Sequence, residues 1–96
     1  MVQINKPLLA ELCRKHDVRV LKLFGSAARG EDTPASDIDL LVEFEGRKSL
    51  FDLIGLELEL TEFLGRRVDL LTEPSISPYL RDRILASASV IYERTG

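Results

Sequence analysis

The segment Leu23 to Val42, LFGSAARGEDTPASDIDLLV, constrains this chain more than any other. An apolar run, Val18 to Phe24, reads as a strand, and Gly25-Ser26 follow directly. Ten residues later Asp37-Ile38-Asp39 opens a second apolar run. Side chains at i and i+2 of a strand share a face. Asp37 and Asp39 therefore project together, while Ile38, Leu40, Val42 and Phe44 alternate onto the other face as core. Two adjacent carboxylates at the mouth of a hydrophobic strand repel each other and resist desolvation unless something compensates. A divalent cation is the natural compensator, and carboxylate oxygens suit Mg²⁺. Gly25 lacks a Cβ and lets backbone approach a ligand closely. The Ser26 hydroxyl and nearby backbone N–H groups can hold a phosphate, and a short helix opening at Ser26 to Arg29 would add a favourable dipole. The segment thus offers a phosphate cradle at one strand end and a metal-binding pair at the start of the next. At ordinary residue usage, these four residues at fixed spacing arise by chance on the order of once per 100,000 start positions.

The rest of the chain supplies a frame for that segment. Residues 5 to 16 read as a helix, with Asn5 as cap, Pro7 in the first turn, and Leu8, Leu9, Leu12 and Cys13 on one face. Lys15 and His16 fall at its C-terminal end, where positive charge is favourable; His16 reads as a solvated helix end. The polar loop Glu31 to Ser36, with Thr33-Pro34, turns the chain back, and so short a connection favours antiparallel pairing of the two strands. Gly46 ends the second strand. Leu50 to Leu64 is the longest helix, with Ser49 as cap, Asp52 three positions on, and Gly65 just past its end. Leu50, Leu53, Ile54, Glu57, Leu60 and Leu64 trace one face, and Phe51, Leu56, Leu58 and Phe63 widen it. Burial within the domain is the expectation for this helix. Arg67 to Thr72 is a third strand carrying Asp69, and Ser77-Pro78 opens a further helix with Leu80, Ile84, Leu85 and Ala88 as its stripe. Val90 to Tyr92 is a final strand before the charged tail Glu93 to Gly96.

Composition narrows the function. The 96 residues are 45% hydrophobic and 30% charged, as expected for one globular domain over 1–96 with a modest core. A formal net charge of −3 disfavours an extended nucleic-acid surface, which needs a basic footprint. A single cysteine, Cys13, forms no disulfide framework and reads as a small apolar side chain. No signal peptide and no apolar run of membrane-spanning length is visible, so a cytoplasmic location is the default.

The pattern G-S-x10-D-x-D, together with Val18 to Phe24, Ala28-Arg29-Gly30, Ser36 to Val42 and Arg67 to Leu71, resembles the minimal nucleotidyltransferases. These belong to the superfamily typified by DNA polymerase β. Ala27 stands where many members carry a large or basic residue. The resemblance covers most of the chain. It implies an α+β fold with a small mixed sheet of about four strands and helices packed mainly on one face. It also implies that Asp69 sits beside the Asp37–Asp39 strand, making three carboxylates converge. Asp37, Asp39 and Asp69 would then hold two Mg²⁺ ions and form the catalytic set, with Asp69 as general base or orienter of the nucleophile. Gly25, Ser26 and Arg29 would contact a nucleoside triphosphate such as ATP; Lys22, Arg47 and Lys48 are further candidates for its phosphates. In the family, such proteins pair with small helical HEPN proteins as toxin–antitoxin systems, and AMP is transferred from ATP to a toxin tyrosine.

Three functional readings follow. The first is a Mg²⁺-dependent adenylyl transfer to a HEPN protein, acting as an antitoxin. The second is the same transfer to a small hydroxyl compound or RNA end. The third is a non-catalytic nucleotide-binding module that silences its partner by occlusion. A partner protein, or a homodimer, would complete the site, with the Leu50–Leu64 helix and the Tyr79 region as contact surfaces. A small α/β domain without a site is the plain alternative.

Overall fold

The Asn5 side chain accepts a hydrogen bond from the Leu8 N–H at 3.3 Å and so starts the first helix, α1 (Lys6–Lys15). Pro7 costs nothing in the first turn because no intrahelical donor is lost there. The computed structural model describes residues 4–31, 33 and 35–94. Pro34 of the expected turn and Thr95 and Gly96 of the expected tail lie outside them. The chain continues as β1 (Val18–Phe24), the single-turn helix α2 (Gly25–Ala28), β2 (Ile38–Phe44), α3 (Leu50–Leu64) and β3 (Val68–Thr72). A 3-10 turn at Glu73–Ser75, α4 (Pro78–Ser87) and β4 (Ser89–Glu93) follow.

The four strands form one mixed sheet in the order β3-β2-β1-β4. β1 lies antiparallel to β2, as the short Gly25–Asp37 connection favours, and also to β4, whereas β2 and β3 are parallel. A parallel pair needs a long crossover, and α3 supplies it. Its start is a capping box: the Ser49 hydroxyl accepts from the Asp52 N–H at 3.3 Å, and the Asp52 carboxylate accepts from the Ser49 N–H at 2.8 Å. Its end is Gly65, at φ +69°, a left-handed conformation that a Cβ would penalise. Ser77 precedes α4 but makes no side-chain cap bond.

Strand alternation divides the apolar residues unequally. Leu21, Leu23, Ile38, Leu40, Val42, Val68 and Leu70 face α1 and α3, where Leu9, Cys13, Leu56 and Leu60 complete the main core. Among the described residues, the buried members of the second cluster are Phe24 and Leu41 on the other face and Ile76, with Leu71, Ile84, Leu85 and Ala88 packed around them under α4. That thin cover leaves the start of β2 open on this second face.

Two expectations are corrected. α3 is not buried as a whole. Its inward stripe is Leu56 and Leu60 flanked by Leu53, Phe63 and Leu64, while Leu50, Phe51, Ile54 and Leu58 face outward, Phe51 at 84% exposure. The helix is rotated from the expected face because Glu57 would otherwise have to be desolvated beneath the sheet, whereas Leu56 enters freely. His16 is also not a merely solvated helix end. It is half-buried, with Nε2 2.9 Å from a Glu59 carboxylate oxygen. Lys15 donates to the same carboxylate at 2.7 Å, and the two bonds, Lys15 first, hold Glu59 below the usual carboxylate range.

Cys13 packs as expected, with no exposed surface, and burial pushes its thiol up to about 12. The thiolate is the reactive form. Thiol reagents at neutral pH should therefore leave the native protein unmodified and label one site per chain in denaturant. Fast labelling of native protein, read by mass spectrometry, would contradict the packing of α1.

Candidate active site

The β1–β2 register sets Phe24 opposite Asp39, so the chain leaves β1 beside the start of β2. It leaves through Gly25, at φ +74°. A Cβ built on Gly25 would lie 2.3 Å from Asp39 Oδ2 and 3.1 Å from its Cγ. Real Cβ atoms essentially never make such contacts, so a side chain at position 25 would push the Asp39 carboxylate aside. The parallel β2–β3 register then sets Asp39 directly opposite Asp69, on strands about 4.8 Å apart. Ile38, Leu40, Val68 and Leu70 enter the main core, so alternation sends Asp39 and Asp69 to the thinly covered face. Asp37 lies just before β2, which begins at Ile38 rather than at Asp37 as expected, so strand alternation does not fix its direction as it does that of Asp39. The three aspartates singled out from the sequence thus belong to one end of one sheet, next to Gly25-Ser26.

Their electrostatics agree with that placement. Burial raises the Asp39 pKa, and the charges of Asp69 and then Asp37 raise it further; Arg29 opposes them. Asp39 is half-buried while Asp37 and Asp69 are exposed. Among the described residues, no three acidic, histidine or cysteine side chains are gathered tightly enough to hold an ion by themselves. Mg²⁺ in nucleotide sites commonly takes one or two carboxylates and completes its shell with phosphate oxygens and water. The donor set therefore fits a hard divalent cation carried with a phosphate ligand: all-oxygen donors, mutual repulsion at Asp39, and room kept by Gly25.

Arg29 caps the C-terminal end of α2 and donates from Nε to Glu31 at 3.1 Å. Ser26 lies within α2, its carbonyl accepting from the Glu31 N–H at 2.9 Å. Lys22 sits on the same sheet face as Asp39, two positions before Phe24, in a recess with Leu41, Glu43 and Glu73. Lys48 and Arg47 are removed from the phosphate candidates. They follow the far end of β2, whose last residue, Phe44, is five residues or about 17 Å from Asp39 along the strand. There Lys48 binds Asp17 at 2.6 Å.

Sequence reading missed one wall of the site. A cavity of about 390 Å³ lies between α2 and α4, lined by Gly25, Arg29, Leu80, Arg83 and Ser87 among others. Leu80, Ile84 and Ser87 follow helical spacing, which places them on one face of α4. That spacing was legible, but the docking of α4 against α2 was not.

The profile of the nucleotidyltransferase domain family matches residues 6–91. The chain belongs to that family. It is 55% identical over 74 residues to a Methanocaldococcus jannaschii protein named "Putative protein adenylyltransferase MJ0435", covering 77% of this chain and 80% of that one. It is 41% identical over 75 residues to the protein adenylyltransferase MntA of Thermococcus cleftensis, covering 78% and 76% of the two chains. Two solved structures share the fold. One is a toxin–antitoxin with AMP-PNP, with a TM-score of 0.77 at 24% identity, covering 95% of this chain and 75% of that one. The other is a tri-AMPylated Shewanella oneidensis HEPN toxin in complex with its MNT antitoxin, with a TM-score of 0.70 at 23% identity, covering 98% and 74%. The expected α+β nucleotidyltransferase fold, with its four-stranded mixed sheet, is the observed one. Among the described residues, no helix is long and apolar enough to cross a membrane.

Proposed function

We propose that this nucleotidyltransferase transfers AMP from ATP to a hydroxyl of a protein partner, a tyrosine of a helical HEPN toxin, and thereby acts as its antitoxin. The observation that carries the reading is the register of Asp39 against Asp69 with Gly25 beneath the Asp39 carboxylate. The names of the relatives and the AMPylated HEPN complex support the acceptor class. The outward apolar residues of α3, and Tyr79 at 91% exposure, support a protein partner over a small molecule.

In this reading Asp37, Asp39 and Asp69 would hold divalent cations of the Mg²⁺ type, which would supply charge neutralisation at the phosphates and a lowered pKa at the attacking hydroxyl. Gly25 admits the triphosphate to the backbone at the end of β1, and the Ser26 hydroxyl donates to it. Arg29 adds positive charge at the same mouth. Asp69 orients the acceptor hydroxyl and takes its proton as the new O–P bond forms at the α-phosphorus. The bond from that phosphorus to the bridging oxygen breaks, and pyrophosphate leaves. Little covalent work falls to the protein; positioning and electrostatics carry the rate.

The test is label transfer from α-phosphate-radiolabelled ATP with Mg²⁺, in an extract of the protein's own source cells. The Asp37→Asn/Asp39→Asn double variant runs in parallel. A labelled protein band that vanishes with the double variant is the expected result, and mass spectrometry of that band identifies the modified residue. Label on small molecules only, or ATP binding without transfer, would overturn the protein-acceptor reading in favour of a small acceptor or of occlusion.

A further inference from the structure

The corner between α3 and β3 reaches across to the loop that carries Asp37. Arg66 Nη2 donates to the Thr33 carbonyl at 2.6 Å and to the Ser36 carbonyl at 2.8 Å. One guanidinium nitrogen carries two hydrogens, so it can bridge both. Thr33 and Ser36 are also joined to each other. The Ser36 N–H donates to the Thr33 carbonyl at 2.9 Å, and the Ser36 hydroxyl accepts from the Thr33 N–H at 3.0 Å. The next residue, Arg67, accepts at its carbonyl from the Ile38 N–H at 2.8 Å.

Those bonds bracket Asp37. A peptide unit is planar, so the Ser36 carbonyl and the Asp37 N–H move as one body. The Asp37 carbonyl and the Ile38 N–H form the next such body. Arg66 holds the first unit by its side chain, and Arg67 holds the second by its backbone. With both flanking planes held, φ and ψ of Asp37 are set, and so is the direction of its Cβ. The holding residues run directly into Val68 and Asp69 at the start of β3. The position of Asp37 is therefore referenced to the strand that carries Asp69.

We propose that Arg66 is a positioning residue for the carboxylate site, fixing Asp37 relative to Asp39 and Asp69 through the Thr33 and Ser36 carbonyls. This rests on the reading of the three aspartates as cation ligands. Arginine suits the task better than lysine, because the two Nη2 hydrogens are held in the rigid guanidinium plane, whereas an ammonium on a flexible stem is less pre-organised. Groups that orient metal ligands typically carry about 10–100-fold in metal affinity, and a loss in that range is the expected effect of removing the guanidinium.

The experiment is a Mn²⁺ titration of the full chain in the presence of a non-hydrolysable ATP analogue, read by electron paramagnetic resonance, with a thermal melt of each apoprotein. It compares wild type, Arg66→Met, Arg66→Lys and Asp39→Asn. Expected are roughly tenfold or greater weakening in Arg66→Met, a smaller loss in Arg66→Lys, and loss of the specific site in Asp39→Asn. The melting temperature of Arg66→Lys should stay close to that of wild type. Wild-type Mn²⁺ affinity in both Arg66 variants, with Asp39→Asn defective, would overturn the role of Arg66 and leave the metal reading standing. If Arg66→Met fails to fold, Arg66→Lys decides on the same terms. Equal binding by wild type and Asp39→Asn would remove the metal reading, and the positioning role with it.

Discussion

Asp39→Asn is expected to abolish nucleotidyl transfer and, in the same molecule, to raise the melting temperature of the metal-free protein. The first effect follows from removing the one half-buried carboxylate among the three. Cation-borne charge stabilisation is worth several kcal/mol in such reactions, so a rate loss of about 10³-fold or more is the scale to look for. The second effect follows from the sign of the Asp39 shift. Burial, then Asp69 and Asp37, lift its folded pKa above the unfolded one. The folded state then binds the Asp39 proton more readily than the unfolded chain does. Stability falls as pH rises through the window between the two pKa values, and the full penalty is present above the folded pKa. Asparagine keeps the shape and removes the charge. The stability difference between variant and wild type should be largest in chelator at neutral pH and should shrink as the pH falls through that window. Saturating Mg²⁺ with nucleotide should reverse the order, since only wild type gains the ligand's stabilisation. A variant that transfers at the wild-type rate, or melts below wild type in chelator, would show that Asp39 is an ordinary strand residue.

Gly25→Ala should damage stability and transfer together, and Gly65→Ala should damage stability alone. Both glycines have left-handed φ, +74° and +69°. An alanine in that region costs roughly 1–2 kcal/mol, or about 4–16 °C in melting temperature for a domain this size. The two differ in what a methyl meets. At Gly65 there is nothing within 4 Å, whereas at Gly25 the Asp39 carboxylate oxygen is 2.3 Å away. That oxygen must move by on the order of an ångström, and displacements of that size cost about 10²-fold in rate. The pair of variants separates backbone strain from ligand displacement. Melting curves should fall for both, and single-turnover transfer only for Gly25→Ala. Equal transfer rates in the two variants would falsify the claim that a methyl at position 25 displaces the Asp39 carboxylate.

Much of the frame was legible because local chemistry determines it. The helix Leu50–Leu64 appears with both expected ends, since the Ser49–Asp52 box and Gly65 are strong local signals. β1 likewise runs over the expected residues, and the antiparallel β1–β2 pair follows from a connection too short for a crossover. The inward face of α3 was not legible, because apolar residues surround the helix and only the sheet decides which of them it covers. Lys48 could not be excluded as a phosphate contact until Asp17, at the far end of β1, proved to hold it. His16 looked like a helix end in water because its partner, Glu59, lies 43 residues away in sequence.

The candidate site divides along the same line. The spacing of Gly25, Ser26, Asp37 and Asp39 is a property of one hairpin-like stretch. Strand alternation and a short turn bring Gly25, Ser26 and Asp39 together whatever the rest of the chain does, so the sequence by itself determined that part, whereas Asp37 lies just outside β2 and takes its direction from Arg66 and Arg67. Asp69, Arg66 and the α4 wall arrive from distant segments, and their placement depends on strand order and helix docking. Those are decided by which long-range packing buries the most apolar surface with its backbone groups paired, a choice that no local pattern encodes. The tertiary structure therefore decided that Asp69 stands opposite Asp39, that Arg66 and Arg67 hold the peptide planes on either side of Asp37, and that α4 walls an open pocket beside Gly25.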